Sequence, residues 1–427
     1  MSRYTVRHNI SGLGTRKDVV PAVDLTGGWR PHLWLGAPAP GGLALPAAKP
    51  SMAWLYSPRG VFVSDDYLIV ADTGNHRVLI WHGMPDRDEQ PADVVLGQPD
   101  GDTEGPAAGG RGPERGMHLP TGVLVHEGRL VVADAWHHRI LVWDSVPAVN
   151  DVAPDLVIGQ PDAVSVEPNR GAGCSATSLY WPFGIAMVGG AFWVADTGNR
   201  RVLGWRGGIP ADGQPADVIL GQPDATSHEE NRGGPAGPDS FRWAHDIAGR
   251  DDLLLVADAG DHRVLGWSPL PDADRPADLV VGQPDFTSAE EWPYGPHTND
   301  RMRFPYAVCL DGAGGQERSD SGIDSGASER LAVADTANNR ILLWDGMPEG
   351  PIARGADGAD GGTPFRGADY VLAQPDFGSN GENRWTSVQR DTLCWPYGLS
   401  LHGDTLAVAD SGNNRVMLWR RSSGGAQ

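Results

Sequence analysis

The sequence predicts an all-β six-bladed β-propeller built of four-stranded blades. Three observations carry this. The segment "VADTGNHRVLIW" (70–81) recurs six times. A second motif, typified by "VVLGQPD", follows each of the first five copies. The outer strand that the last copy lacks has a candidate near the N-terminus. A length of 427 residues alone would suggest two or three domains, but large all-β folds exceed the usual domain size.

The repeat sets the elements in order. The later copies are "VADAWHHRILVW" (132–143), "VADTGNRRVLGW" (194–205), "VADAGDHRVLGW" (256–267), "VADTANNRILLW" (333–344) and "VADSGNNRVMLW" (408–419). Their aspartates are Asp72, Asp134, Asp196, Asp258, Asp335 and Asp410, the first four evenly spaced and the last two set farther apart by insertions. A third motif stands at one fixed distance ahead of the aspartate in five copies: "SPRGVFV", "LPTGVLV", "WPFGIAM", "WAHDIAG" and "WPYGLSL". Pro58 thus precedes Asp72 by the same step as Pro120 precedes Asp134. The counterpart in the fifth copy, "FPYAVCL", lies farther ahead of Asp335. Strand A is the run after Pro-x-Gly, and strand B ends at Val-Ala-Asp. Strand C is Arg-Val-Leu-x-Trp, and strand D leads into Gly-Gln-Pro-Asp. Val, Ile, Leu and Trp dominate these runs, as strands buried on both faces require. Gly, Asn, Asp and Pro mark the turns. Six such units form a closed ring that leaves only short protected edges.

Ring closure follows from spacing. The sixth copy ends at Trp419 with no strand D. The step from the motif glycine (or Ala373) to the next Pro slot is constant in five cases. The step from Gly36 to Pro58 is shorter by a single position. Residues 32–38 are therefore expected to complete blade six. The expected organisation is an N-terminal tail (1–28), one propeller (29–419) and a C-terminal tail (420–427). Two Gly/Ser/Asp-rich insertions in the fifth unit, 312–330 and 350–368, read as flexible loops on the face opposite the long D–A loops.

The "ADTGNHRVLIW" segment resembles the NHL repeat, whose name comes from residues such as Asn75, His76 and Leu79 here. The resemblance runs from about residue 29 to 419. It implies a propeller that serves as a binding platform, a scaffold or, occasionally, an enzyme. The Gln-Pro-Asp-rich units are similar to bacterial NHL proteins that accompany metalloenzymes, nickel–iron uptake hydrogenases among them. That likeness implies hydrogenase or other metalloenzyme subunits as partners.

Composition narrows the classes. The formal net charge of −21 disfavours nonspecific binding to nucleic acid or to an anionic membrane. It argues against the RNA-binding role that some animal NHL domains have. No apolar run is long enough to span a bilayer, and "MSRYTVRHNISGLGTRKD" lacks the apolar stretch of a secretory signal. Three cysteines, Cys174, Cys309 and Cys394, make no disulfide framework. A cytoplasmic setting is the expectation. P-loop, dinucleotide, His-Glu-x-x-His and nucleophile-elbow motifs are absent from the sequence.

A group repeated in every blade belongs to the blade, because one active site needs one copy. The repeat aspartates and the arginines Arg77, Arg139, Arg201, Arg263, Arg340 and Arg415 are therefore read as structural, as are the Gln-Pro-Asp tripeptides. Function is expected where symmetry breaks, on the face of the D–A and B–C connections. Two places before the Pro slot stand Tyr56, His118, Tyr180, Arg242, Arg303 and Cys394; one place after it stand Arg59, Thr121, Phe183, His245, Tyr306 and Tyr397. Such residues suit an interaction rim, or else they pack the loop bases. The fourth blade departs furthest, with Ala244, His245 and Asp246 in place of Pro-x-Gly. His118, His245 and Asp246 are candidate metal ligands, set against a plain polar pair that replaces a turn. Trp136 and His137 replace small and Asn-type residues, and are expected to form an exposed aromatic step, with His137 in a slot suited to positive φ.

The first expectation is a non-catalytic protein-binding propeller with no cofactor. The second is a metal-dependent lyase or hydrolase holding zinc or calcium at the channel mouth. It comes by analogy with the NHL-like lyase of peptide amidation and with lactonase-like propellers. The sequence departs from those zinc sites, since no three blades offer equivalent histidines.

Overall fold

In a computed structural model, residues 24–36, 50–291, 297–311, 330–348 and 366–422 are described. Six four-stranded antiparallel sheets make the six blades. Blade one is Gly60–Val63, Tyr67–Asp72, Arg77–His82 and Val94–Leu96, in order A, B, C, D. Blades two to five repeat this order. Blade six takes strands A to C from Pro396–His402, Thr405–Asp410 and Arg415–Arg421, and its outer strand is Trp29–Gly36. Gly36 pairs with Arg415 and Trp29 with Arg421, so the strand runs antiparallel to strand C, as spacing predicted. The expected strand residues 37 and 38 lie outside the described residues, as do 312–329 and 350–365 of the two insertions. No helix among the described residues is long and apolar enough to cross a membrane.

The repeat motif owes its constancy to one buried assembly. Asp72 and Arg77 are the last cross-strand pair of the B–C hairpin, and the equivalent pair closes that hairpin in all six blades. Each pair is joined at 2.7 to 3.0 Å with both side chains wholly or almost wholly enclosed. The other carboxylate oxygen accepts the backbone N–H two places before the Pro slot, as from Tyr56 at 2.7 Å. The guanidinium then reaches two successive D–A loops. Arg201 donates to the carbonyls of Ser175, Ser178 and Ala225, at 2.7, 3.0 and 2.8 Å. Charged groups of this kind can be buried because they are multiply hydrogen-bonded; among the described residues Arg415 Nη1 is the exception, with no acceptor.

The Gln-Pro-Asp segments add two further ties. Gln98 Nε2 donates to the carbonyls of Asn75 and Gly105, joining the B–C turn to the D–A loop. Asp100 accepts the backbone N–H groups of Asp102 and Thr103, and so caps the loop's first turn. Between blades, Thr73 Oγ1 donates to the carbonyl of Pro120 at 2.7 Å, and Ser411 makes the equivalent bond to Pro58 across the ring closure. In blades one to five strand C ends in a buried tryptophan whose Nε1 donates to the C–D connection, as Trp81 does to Gln90 at 3.0 Å. Apolar packing fills the space between neighbouring sheets. Leu35, for instance, lies with Leu55, Val61 and Val416 at the junction of blades six and one.

The B–C turns correct the expectation for His137. Positive φ falls at the next position, at His76, His138, Arg200, His262, Asn339 and Asn414, with values of 52 to 57°. His137 occupies the slot whose Asn side chains bind the repeat carboxylate, and its Nδ1 lies 2.8 Å from Asp134 Oδ2. It is 5% exposed, so it belongs to the buried assembly and not to an exposed step.

Candidate functional site

Each D–A loop delivers its chain to strand A at the central channel. The repeat aspartate holds the residue two before the Pro slot by its backbone, in all six blades. That fixes the direction of the residues that follow. The six residues one place after the slot, Arg59, Thr121, Phe183, His245, Tyr306 and Tyr397, all line the channel. They form its loop-side ring. His245 stacks between Phe183 and Tyr306, with ring centroids at 4.4 and 4.3 Å. Tyr306 stacks on Tyr397 at 4.6 Å, and the Arg59 guanidinium covers Tyr397 at 4.7 Å. Thr121 completes the circle with its hydroxyl on the carbonyls of Pro182 and Phe183.

A further set of residues was not among those singled out from the sequence. The position immediately before the Pro slot holds Ser57, Leu119, Trp181, Trp243, Phe304 and Trp395. Trp136 packs on Trp181 at 5.2 Å, Tyr180 on Trp181 at 4.7 Å and Trp243 on Phe304 at 6.1 Å. Four aromatic residues in six equivalent slots were the signal that could have found them. The positive-φ residue of the preceding blade holds this position. The Nδ1 atoms of His76, His138 and His262 accept the N–H of Leu119, Trp181 and Phe304 at 3.1 to 3.2 Å. Asn339 and Asn414 do the same through Oδ1 for Trp395 and Ser57. Burial holds the His76 and His138 imidazoles neutral, down to about 4, as an accepting nitrogen requires.

The same slot explains the fourth blade. Arg200 has no acceptor to offer, so the N–H of Trp243 turns to Asp258 Oδ1 at 3.0 Å. His245 and Asp246 then bridge to strand A of blade five. His245 Nδ1 donates to the carbonyl of Tyr306 at 3.0 Å, and Asp246 Oδ2 accepts the N–H of Val308 at 3.1 Å. Elsewhere backbones meet directly: a Cβ on Gly60 would stand 1.7 Å from the carbonyl oxygen of Thr121.

His118 lies apart from this pair, its ring against His76 and His137 at 5.1 and 5.5 Å. Among the described residues, no three His, Cys, Asp or Glu side chains are grouped to hold a metal ion. The cysteines are poor nucleophiles. Burial pushes the Cys174 thiol up to about 11 and Cys394 up to about 12, and raises Cys309 well above the usual range.

Among the described residues, Asp246 is the one acidic side chain that lines the channel. Burial pushes its carboxyl up to about 7, and burial holds the His245 imidazole down to about 3. Between about pH 4 and the raised value, the folded protein keeps a proton that an unfolded carboxyl has released. Asp246 therefore lowers stability as pH rises through that window. His245 acts in the opposite direction up to 6.5, because the unfolded imidazole binds a proton that the folded one excludes. Asp246→Asn is expected to steepen the gain in stability from pH 4 to pH 6.5, read by chemical denaturation across that range. Identical slopes for variant and wild type would show that Asp246 titrates normally.

The outer rim is more mixed. Tyr56 and Arg242 are exposed; Tyr180, Arg303, Cys394 and Trp136 are half-buried. Arg242 lies 3.6 Å from Glu230, and Arg303 lies 2.6 Å from Glu291. Trp385, in the D–A loop before blade six, is 76% exposed.

No protein-family model matches the chain, and no curated protein matches it significantly. Among solved structures it is similar to Raptor of Chaetomium thermophilum, at 11% identity and a TM-score of 0.45, over 94% of this chain and 30% of that one. An auxiliary nutrient binding protein from Bacteroides thetaiotaomicron matches at 10% identity and a TM-score of 0.48, over 90% and 74% of the two chains. The WD40 β-propeller domain of Doa1 matches at 12% and 0.37, over 93% and 98%. The chain thus spans less than a third of the first of these proteins. These likenesses are distant, and the six-bladed architecture rests on the sheet order itself.

Proposed function

We propose that this propeller binds another protein through its D–A/B–C loop face and does no chemistry itself. One observation carries the reading: the invariant groups are buried and spent on the scaffold, while the variable slots on this face hold Trp, Tyr and Arg. Those three types dominate the energetic centres of protein interfaces. The half-exposed Trp136, Tyr180, Trp181 and Trp243, with the exposed Trp385 and Trp395, supply a broad aromatic surface. The NHL-type repeat and the Gln-Pro-Asp motif support the finer proposal of an accessory factor for a metalloenzyme, such as a nickel–iron hydrogenase.

Affinity capture from native cells tests this. Trp385→Ala should leave stability within about 0.5 kcal/mol, because the ring is exposed. It should reduce capture of the specific partner by about tenfold or more. Val149, 64% exposed on a C–D connection of the other face, supplies the control; Val149→Ser should capture as wild type does. Equal capture by wild type and Trp385→Ala, with loss in Val149→Ser, would place the interface on the opposite face.

A further inference from the structure

Arg59 is half-buried and is placed unlike the repeat arginines. The repeat arginines each meet a carboxylate and several carbonyls. Among the described residues Arg59 forms no ion pair and no side-chain hydrogen bond, and its Nε is shielded from solvent without an acceptor. Its contact is the face of Tyr397. In a chain carrying 55 acidic residues against 34 basic ones, an unmatched guanidinium inside the channel mouth stands out. The acid that shares the channel does not serve it, since Asp246 Oδ2 is held by the backbone of Val308.

Beyond the mouth, the side chains that the A strands turn inward are mainly apolar. Val61, Val123, Ile185, Ile247, Val308 and Leu399 line the channel from the six A strands. Ser400 Oγ is occupied by the N–H of Val63 at 3.0 Å. The cavity measures about 110 Å³, the room of a few water molecules. A cation at one end and short apolar walls behind it define an amphiphile of opposite sign.

We infer that the channel mouth is a binding site for a short-chain monocarboxylate, whose carboxylate sits on Arg59 and whose alkyl tail enters the apolar channel. The inference goes beyond the protein-binding reading and stands or falls separately from it, because the channel and the outer loop face are different surfaces. The guanidinium offers paired N–H donors to the carboxylate oxygens. The tail gains by leaving water, and chain length is limited by the cavity.

Isothermal titration of the full chain with sodium butyrate, against sodium chloride at matched ionic strength, tests the site. Butyrate is expected to bind one per chain, about tenfold tighter than acetate through its two further methylenes. Octanoate is expected to bind more weakly than butyrate. Arg59→Gln should weaken butyrate by about tenfold or more. Arg87→Gln, on a C–D connection of the opposite face, should leave it unchanged. Thermal denaturation of each variant checks that it is folded. The acetate, butyrate and octanoate series on wild type gives a test that needs no variant. Absence of butyrate binding, an affinity indifferent to chain length, equal binding by folded Arg59→Gln, or equal binding of butylammonium would each overturn the site.

Discussion

Arg201→Met is expected to destabilise the propeller by about 3–5 kcal/mol, the range for removing one partner of a buried ion pair. Arg201 is wholly enclosed beside Asp196, with Nε 2.8 Å from the carboxylate. The variant leaves Asp196 with the N–H of Tyr180 and the amide of Asn199, and no countercharge. It also strands the carbonyls of Ser175, Ser178 and Ala225, which belong to two successive D–A loops. Typical domain stability is about 5–15 kcal/mol, so one such loss is a large share. Lysine cannot repair it, because one ammonium cannot reach four acceptors spread around a guanidinium plane. The double variant Arg201→Met, Asp196→Leu should recover part of the loss, since it removes the uncompensated charge. Urea denaturation of both reads the effect. A loss below about 1 kcal/mol in the single variant would mean that the loops, and not the ion pair, hold the blade together.

That assembly was legible because it repeats. Six copies of Val-Ala-Asp and Arg-Val-Leu-x-Trp define strands B and C before any coordinate is known. The spacing of Gly36 from Pro58 is enough to assign the outer strand of blade six. The channel ring was legible in part: Arg59, Thr121, Phe183, His245, Tyr306 and Tyr397 stand in one sequence slot, and one slot in a ring is one level of the channel. Their stacking was not, because it joins residues of different blades that lie far apart in sequence, and no periodicity encodes ring orientation. Trp181, Trp243, Phe304 and Trp395 sit in the slot between the two considered and were passed over. His137 was misplaced by a single position. Adjacent turn positions both favour polar residues, and only geometry shows which one carries the left-handed backbone and which one binds the aspartate.

A chain beginning at residue 40 is expected to self-associate through its new edge and to lose most of its stability. Such a chain lacks Trp29–Gly36, which pairs along Arg415–Arg421 and buries Trp29, Leu33, Trp34 and Leu35. Those side chains serve two junctions. Trp29 and Trp34 pack with blades five and six, while Leu33 and Leu35 pack with blades six and one. At about 1.5–3 kcal/mol each, the four amount to roughly 6–12 kcal/mol, comparable with the whole stability of a typical domain. The strand also anchors the last D–A loop. Arg390 covers Trp34 at 4.2 Å and donates to the carbonyl of His32 at 3.1 Å. Without the strand, the C strand of blade six becomes a free edge carrying Val416 to Trp419, a template for pairing with another copy. Sedimentation and thermal denaturation should show oligomers and early unfolding. Leu35→Ala in the full chain, a milder lesion at the same junction, should cost about 2–5 kcal/mol with no added self-association. A shortened chain no more associated than the full one, and as stable, would show that the first five blades, with three strands of the sixth, close the ring unaided.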